Sequence, residues 1–243
     1  MFNMMGLVTS SNRVNVASVG GSTDPTDITG LHLWFDITDV LSGAEPSADA
    51  PIGGAGALWQ DKSGNGWDAS QSTGIKQPLY KTNIQNGLPA ILFDGTDDFL
   101  QVISDSINQP YTVIMVGRPT DIEPQHIWLS NRPNASDMIV YEATDFYMRS
   151  FTLQDTGFNL VQDTNYKIIM TFDGASSLCR LNGADSATLS PGTNLLYNIN
   201  IGSGATGSQN FAGYIFEIIV YAKVLNPTEV GQIETYLNTK WGL

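Results

Sequence analysis

The sequence predicts an all-β chain: a two-sheet antiparallel jelly-roll sandwich closed by a short C-terminal helix. Three observations carry that prediction. Short apolar runs of period two recur from Leu31 to Leu225. Clusters of Gly, Asn, Asp and Pro, such as DGTDD, NRPNAS and LSPGTN, separate them as turns. Only one helical pattern is present, and it stands at the end of the chain. Many short strands with little helix point to a sandwich or jelly roll, a class in which 243 residues are commonly one domain.

Residues 1–27 are small, polar and glycine-containing and end in GGSTDPTD, so they read as an arm, a docking segment ahead of the sandwich at residues 28–243. The opening MFNMMGLVTSSNR has neither a basic leader nor a long apolar core, which predicts a product used without conventional secretion and gives little weight to the sequon at Asn134. In LHLWFDI, Leu31, Leu33, Phe35 and Ile37 alternate with His32, Trp34 and Asp36, as a strand with one buried face would. Further strands are expected at residues 88–93, 99–103, 111–117, 138–142, 166–172, 177–182, 197–202 and 213–225. The closing NPTEVGQIETYLNTKWG supplies a cap at Asn226, Pro227 in the first turn, a capping-box partner in Glu229, and Gly242 to end the helix. Val230, Ile233 and Leu237 share one helix face.

Hydrophobic residues make up 42% of the chain, ample for a core, and charged residues only 14%. Eleven Lys plus Arg against 24 Asp plus Glu give a net charge of −13, which argues against nucleic acid and against an anionic membrane surface. The acidity is scattered, so it serves solubility first and calcium affinity second. A lone cysteine, Cys179 in the strand-like SLCRLN, excludes a disulfide framework and reads as an inert buried thiol.

Several motifs fail on context. GSGATG at residues 202–207 matches the dinucleotide glycine pattern, but a strand-like FAGYIFEIIVY follows it where a helix N-terminus is needed, so it reads as a loop between strands. The chain carries neither a phosphate-loop motif nor a nucleophile elbow. His32 and His126 stand too far apart for a zinc pair. Glycoside hydrolysis needs two carboxylates flanking one bond, and Glu217 is a single carboxylate in an apolar strand. It reads as a structural residue tied to backbone or to an arginine, and the chain as a non-enzyme.

The ordered phrases LHLWFDITD, WQDKSGNGWDA, NGLPAILFDGTDDFLQV, YTVIMVGRP, LNG, NINIGS, FAGYIFEIIVYAKVLNPTEV and IETYLNTKWG together resemble one family. It is the laminin-G-like branch of the concanavalin A-like lectin/glucanase superfamily, of the type found in phage virion proteins. The resemblance runs from about Gly30 to the C-terminus. It implies a jelly roll whose work is binding or scaffolding, because the superfamily's enzymes carry further carboxylate motifs that are missing here.

What the resemblance implies about function is a non-enzymatic virion protein: capsid decoration, tail or fibre component, attached to other virion proteins through the arm. Host surface polysaccharide is a second partner it allows, as is a homo-oligomer. The alternatives are a carbohydrate-binding module and, behind it, a polysaccharide hydrolase or lyase. Some relatives hold calcium in rim loops, and the matching positions are Asp61, Asn65 and Asp68 in WQDKSGNGWDA with Asp94, Asp97 and Asp98 in FDGTDD. The same D-x-S-G-N-G also serves as a plain turn, with Asp61 and Ser63 accepting loop N–H groups and the glycines taking positive φ. The turn is the stronger reading. For a sugar, which needs an aromatic plane beside polar groups, Trp67, Trp128 and Tyr147 are the candidates from a stock that includes Trp34 and Trp59.

Overall fold

The computed structural model describes residues 24–39, 46–122, 125–131, 136–142, 144–205 and 207–243, with backbone alone for residues 125 and 136–142. The arm as far as residue 23 and the sequon at Asn134 lie outside the described residues. The strands are β1 (Leu31–Asp36), β2 (Leu79–Gln85), β3 (Leu88–Asp94), β4 (Leu100–Val102), β5 (Tyr111–Pro119), β6 (Gln125–Asn131) and β7 (Ser136–Glu142). They continue with β8 (Asp145–Arg149), β9 (Leu153–Asn159), β10 (Tyr166–Phe172), β11 (Leu178–Leu181), β12 (Ala184–Asp185), β13 (Ile199–Ile201) and β14 (Ala212–Tyr221), before helix α1 (Pro227–Trp241).

Two antiparallel sheets result. Sheet one has eight strands in the order β12-β11-β10-β5-β14-β3-β2, with β1 added on β14. Sheet two has six, β4-β13-β6-β7-β8-β9. β14 serves two partners along its length: residues 212–215 pair with β3 and residues 217–221 with β1, and its register against β5 shifts between Ile215 and Glu217. Such a bulge re-aims the strand, and here it turns Glu217 onto the outer face of the sheet. The all-β sandwich with one C-terminal helix is therefore the observed fold.

β8 shows the simple pattern of a half-buried strand: Phe146 and Met148 point inward while Asp145, Tyr147 and Arg149 meet solvent. β5 and β14 are buried along nearly their whole length. Their second face is covered because α1 lies across sheet one. β1 departs from the single buried face expected of it, since His32, Trp34 and Asp36 are buried as well. The cover comes from α1 and from the loop after Trp59.

The helix forms where its caps dictate. Asn226 Oδ1 accepts the N–H groups of Thr228 and Glu229 at 2.9 and 3.1 Å, and Glu229 returns a bond to the Asn226 N–H at 2.9 Å. Gly242 ends it at φ 66°, a left-handed conformation that suits glycine. Ile233, Leu237 and Trp241, four residues apart, form a fully buried stripe against the sheet. Its flanks differ: Glu234 and Asn238 reach toward β10 and β11, Tyr236 and Lys240 toward β1 and β14.

Between the sheets, two glycines permit close approach. A side chain at Gly117 would come within 2.7 Å of the Trp128 ring, and one at Gly202, where φ is 83°, within 2.3 Å of Phe93. Gly202 opens GSGATG, which connects β13 to β14, so the glycine-rich motif is an inter-strand loop. Cys179 is buried, and burial pushes its thiol far up, consistent with an inert packing residue.

Candidate functional site

WQDKSGNGWDA forms a closed turn strapped to β1. The Asp61 carboxylate accepts four hydrogen bonds: from the backbone N–H of Trp34 (3.1 Å), Ser63 (2.9 Å) and Trp67 (3.2 Å), and from the Ser63 hydroxyl (2.8 Å). Asp68 accepts the N–H of Asp61 at 2.9 Å, and the Asn65 amide donates to the His32 carbonyl at 2.9 Å. Trp59 and Ala69 close the base as a β-bridge. Gly64 and Gly66 have φ of 93° and 77° with open space around them, so conformation rather than room requires glycine. Both oxygens of Asp61 are thus committed to holding the loop.

FDGTDD folds in a similar way but leaves carboxylates over. Asp94 Oδ1 accepts the N–H groups of Thr96, Asp97 and Asp98, and Asp98 Oδ2 accepts the N–H of Asp94. Asp94, Asp97 and Asp98 each offer a ligand oxygen within 4.8 Å of the others, the sole such group of metal-binding side chains among the described residues. Asp61, Asn65 and Asp68 are not brought into it. Burial first, then the charges of Asp94 and Asp97, push the Asp98 carboxyl up to about 6. Three clustered carboxylates suit a hard cation but fall short of the roughly six to eight oxygens calcium takes without water.

The aromatic candidates separate. Trp128 is fully buried, 4.5 Å from Phe211 and in the slot that Gly117 leaves open, so it presents no plane to a sugar. Its expectation as a surface platform is corrected by that packing. Trp67 is half-buried at the rim, 4.5 Å from the His32 ring. Tyr147 is half-buried on the outer face of sheet two. Its hydroxyl lies 3.5 Å from Asp145 Oδ2, and Asn159 donates to Asp145 Oδ1 at 2.8 Å. Phe151 is 78% exposed in the turn between β8 and β9, against Pro191 and Gly192.

Glu217 lies under α1, 1% exposed, and its partners are not the expected backbone or arginine. Trp34 Nε1 and the Tyr236 hydroxyl donate to Oε1 and Trp241 Nε1 to Oε2, each at 2.7 Å. Lys240 Nζ stands 3.2 Å from Oε2 and 2.7 Å from Asp36, which also binds Lys62 at 3.0 Å. Burial raises the Glu217 carboxyl above its ordinary value; Lys240 opposes this and Asp36 adds to it. For Asp36 burial pushes upward too, but Lys240 and Lys62 outweigh it and hold the group below the usual range. A second carboxylate therefore does accompany Glu217, with an ammonium between the two and a helix above them. The sequence signal for Glu217 is an acidic residue in a strand that is apolar on both faces, which calls for a buried partner; Asp36, on the polar face of LHLWFDI, gives no such signal.

No family model matches the chain, and no curated protein matches it. Solved structures do resemble its fold. The Trypanosoma rangeli sialidase in complex with sialic acid superposes with a TM-score of 0.56 at 12% identity, over 88% of this chain and 34% of the sialidase. The covalent-intermediate structure of that sialidase with 2,3-difluorosialic acid gives 0.57 at 10% identity, over 88% and 34%. The binding domain of botulinum neurotoxin DC in complex with rat synaptotagmin II gives 0.55 at 14% identity, over 78% and 51%. The chain spans about one third of the sialidase chains and about half of the neurotoxin chain. These likenesses show a β-sandwich fold.

Proposed function

We propose that the chain is a non-enzymatic recognition domain of the laminin-G-like type, carried on a phage virion through its N-terminal residues and binding host surface polysaccharide. The observation that carries the binding half is the contrast between the two sheets: sheet one is roofed by α1, while sheet two turns Asp145, Tyr147 and Arg149 outward. An aromatic plane flanked by carboxylate and amide groups is the arrangement a pyranose ring stacks on. The non-enzymatic half is supported by the fate of the carboxylates. Glu217 and Asp36 sit beneath a helix with Lys240 between them, which leaves no gap for a scissile bond. One solved structure of similar fold holds sialic acid and another holds rat synaptotagmin II, so the preference for a sugar rests on the Tyr147 surroundings and not on those neighbours.

Calcium belongs, in this reading, to the Asp94, Asp97 and Asp98 cluster and not to the Asp61 turn, whose oxygens are occupied. The test is a glycan array probed with the full chain, with and without calcium. Bound glycans are expected to be lost with Tyr147→Ala, and retention of binding by that variant would move the site to Trp67. A blank array in both conditions would remove the polysaccharide from the proposal. Deletion of residues 1–27 is expected to abolish incorporation into particles, and normal incorporation would end the virion reading.

A further inference from the structure

Outside these sites, three reactive groups meet under the helix flank that faces β10. Lys167 lies on the outer face of sheet one, 5% exposed. Its Nζ is 2.8 Å from Asn238 Oδ1 and 3.4 Å from Glu234 Oε1, both on α1 and one helical turn apart. Arg180 grips the same glutamate, Nε at 3.2 Å from Oε1 and Nη2 at 3.3 Å from Oε2, which fixes the carboxylate against the amine. A side-chain amine, a carboxamide whose oxygen it already contacts, and a carboxylate beside both are the components of an amide exchange.

We propose that Lys167 and Asn238 join in an intramolecular isopeptide bond, with Glu234 carrying the proton. The Glu234 carboxylate takes one proton from the Lys167 ammonium, and the freed amine attacks Asn238 Cγ to form the new N–C bond. The tetrahedral centre collapses as Glu234 returns the proton to Nδ2. The Cγ–Nδ2 bond breaks, and Glu234 takes the second proton from the new amide nitrogen and hands it to the departing ammonia, which leaves as ammonium. Atoms and charge balance as lysine ammonium plus carboxamide giving secondary amide plus ammonium, with no oxidant, nucleotide or metal consumed. What the fold contributes is position, since holding amine and carbonyl in contact replaces a bimolecular encounter, and a placed acid–base group to move the proton.

The surroundings suit the reaction. A hollow of about 360 Å³ lined by Asn165, Lys167, Asn182, Asn238, Gly242 and Leu243 adjoins the amide and gives ammonia a way out. The neighbouring Asn182 does not compete, because its Oδ1 accepts the Lys167 backbone N–H at 2.8 Å. The product would tie β10 to α1 across 71 positions of sequence, so that the helix could not leave the sheet without breaking a covalent bond.

The test is the intact mass of the full chain under denaturing conditions, followed by proteolysis. The expected result is a main species lighter than the sequence mass by one ammonia and a branched peptide joining the segments around Lys167 and Asn238. Lys167→Arg and Glu234→Gln are expected to restore the sequence mass while circular dichroism shows the fold retained. Ring closure at Asn-Gly pairs such as Asn65-Gly66 also expels ammonia, so a deficit that persists in Lys167→Arg would overturn the proposal. So would a folded wild-type chain that stays at its sequence mass after prolonged incubation.

Discussion

Replacing Glu217 by glutamine tests whether the buried acid is a structural tie. The change keeps volume and leaves Oε1 to accept from Trp34 and Tyr236. It turns an NH₂ group toward two donors, Trp241 Nε1 at 2.7 Å and Lys240 Nζ at 3.2 Å from the present Oε2. An indole N–H left unpaired in the interior costs about 1–3 kcal/mol. Breaking a buried ion pair from one side costs about 3–5 kcal/mol. Both losses arise at one atom and overlap, and Lys240 keeps Asp36, so the sum stays near the larger figure, about 3–5 kcal/mol. In a chain of this length each kcal/mol moves Tm by roughly 2–4 °C, which predicts a fall of about 6–20 °C. Urea and thermal unfolding of wild type and Glu217→Gln at neutral pH measure it. A change under about 1 kcal/mol would refute the reasoning, because the two donors at Oε2 would then be contributing nothing net. A Lys240→Met partner variant refines the result, since the double variant should lose less than the two single losses added together.

Asp61→Ala removes the acceptor of three backbone N–H groups and one hydroxyl, and is expected to cost about 2–4 kcal/mol in urea unfolding with no dependence on added calcium. Asp36 is held below its ordinary value of 3.8, so the stability it contributes is present above that pH and lost as pH falls through its folded value. Acid titration of wild type should show that loss, and Asp36→Asn should flatten it. Asp98 has the opposite sign: with its carboxyl raised to about 6, its contribution is complete below pH 3.8 and disappears as pH rises through about 6, a slope Asp98→Asn should remove. Calorimetric titration at neutral pH should give weak calcium binding, Kd on the order of 10⁻⁴–10⁻³ M, that Asp97→Asn abolishes; no heat and an unchanged Tm with chelator would end the metal reading.

Most of the sheet framework is legible in the residues, and what escapes notice escapes for physical reasons. β10 is bounded as its apolar run suggests, because Tyr166–Phe172 is flanked by Asn and Asp-Gly. β2 and β9 are not legible: both are edge strands, half exposed, and their polar residues carry no period-two apolar signal. The helix is readable down to its caps, since Asn226, Glu229 and Gly242 act locally. Its partners are not. The network of Asp36, Lys62, Glu217 and Lys240 joins positions up to 204 residues apart, and no local pattern encodes which acid meets which base. Trp128 shows the same limit, for its burial depends on Gly117 on the facing sheet. The turn at Asp61 was readable as a turn because its bonds lie mostly within six positions.

The short turn at Asp24–Asp27 fixes where the chain enters the sandwich. Tyr221 donates to the Pro25 carbonyl at 2.8 Å, and Lys223 reaches Thr29 at 3.3 Å, so this part of the chain lies against sheet one near the start of α1. Tyr147 lies on the opposite side, on the outer face of sheet two. The chain therefore enters the sandwich on the side roofed by α1, and the Tyr147 face is the one turned furthest from that entry, so a ligand on sheet two and the stretch at Asp24–Asp27 would not compete for the same surface.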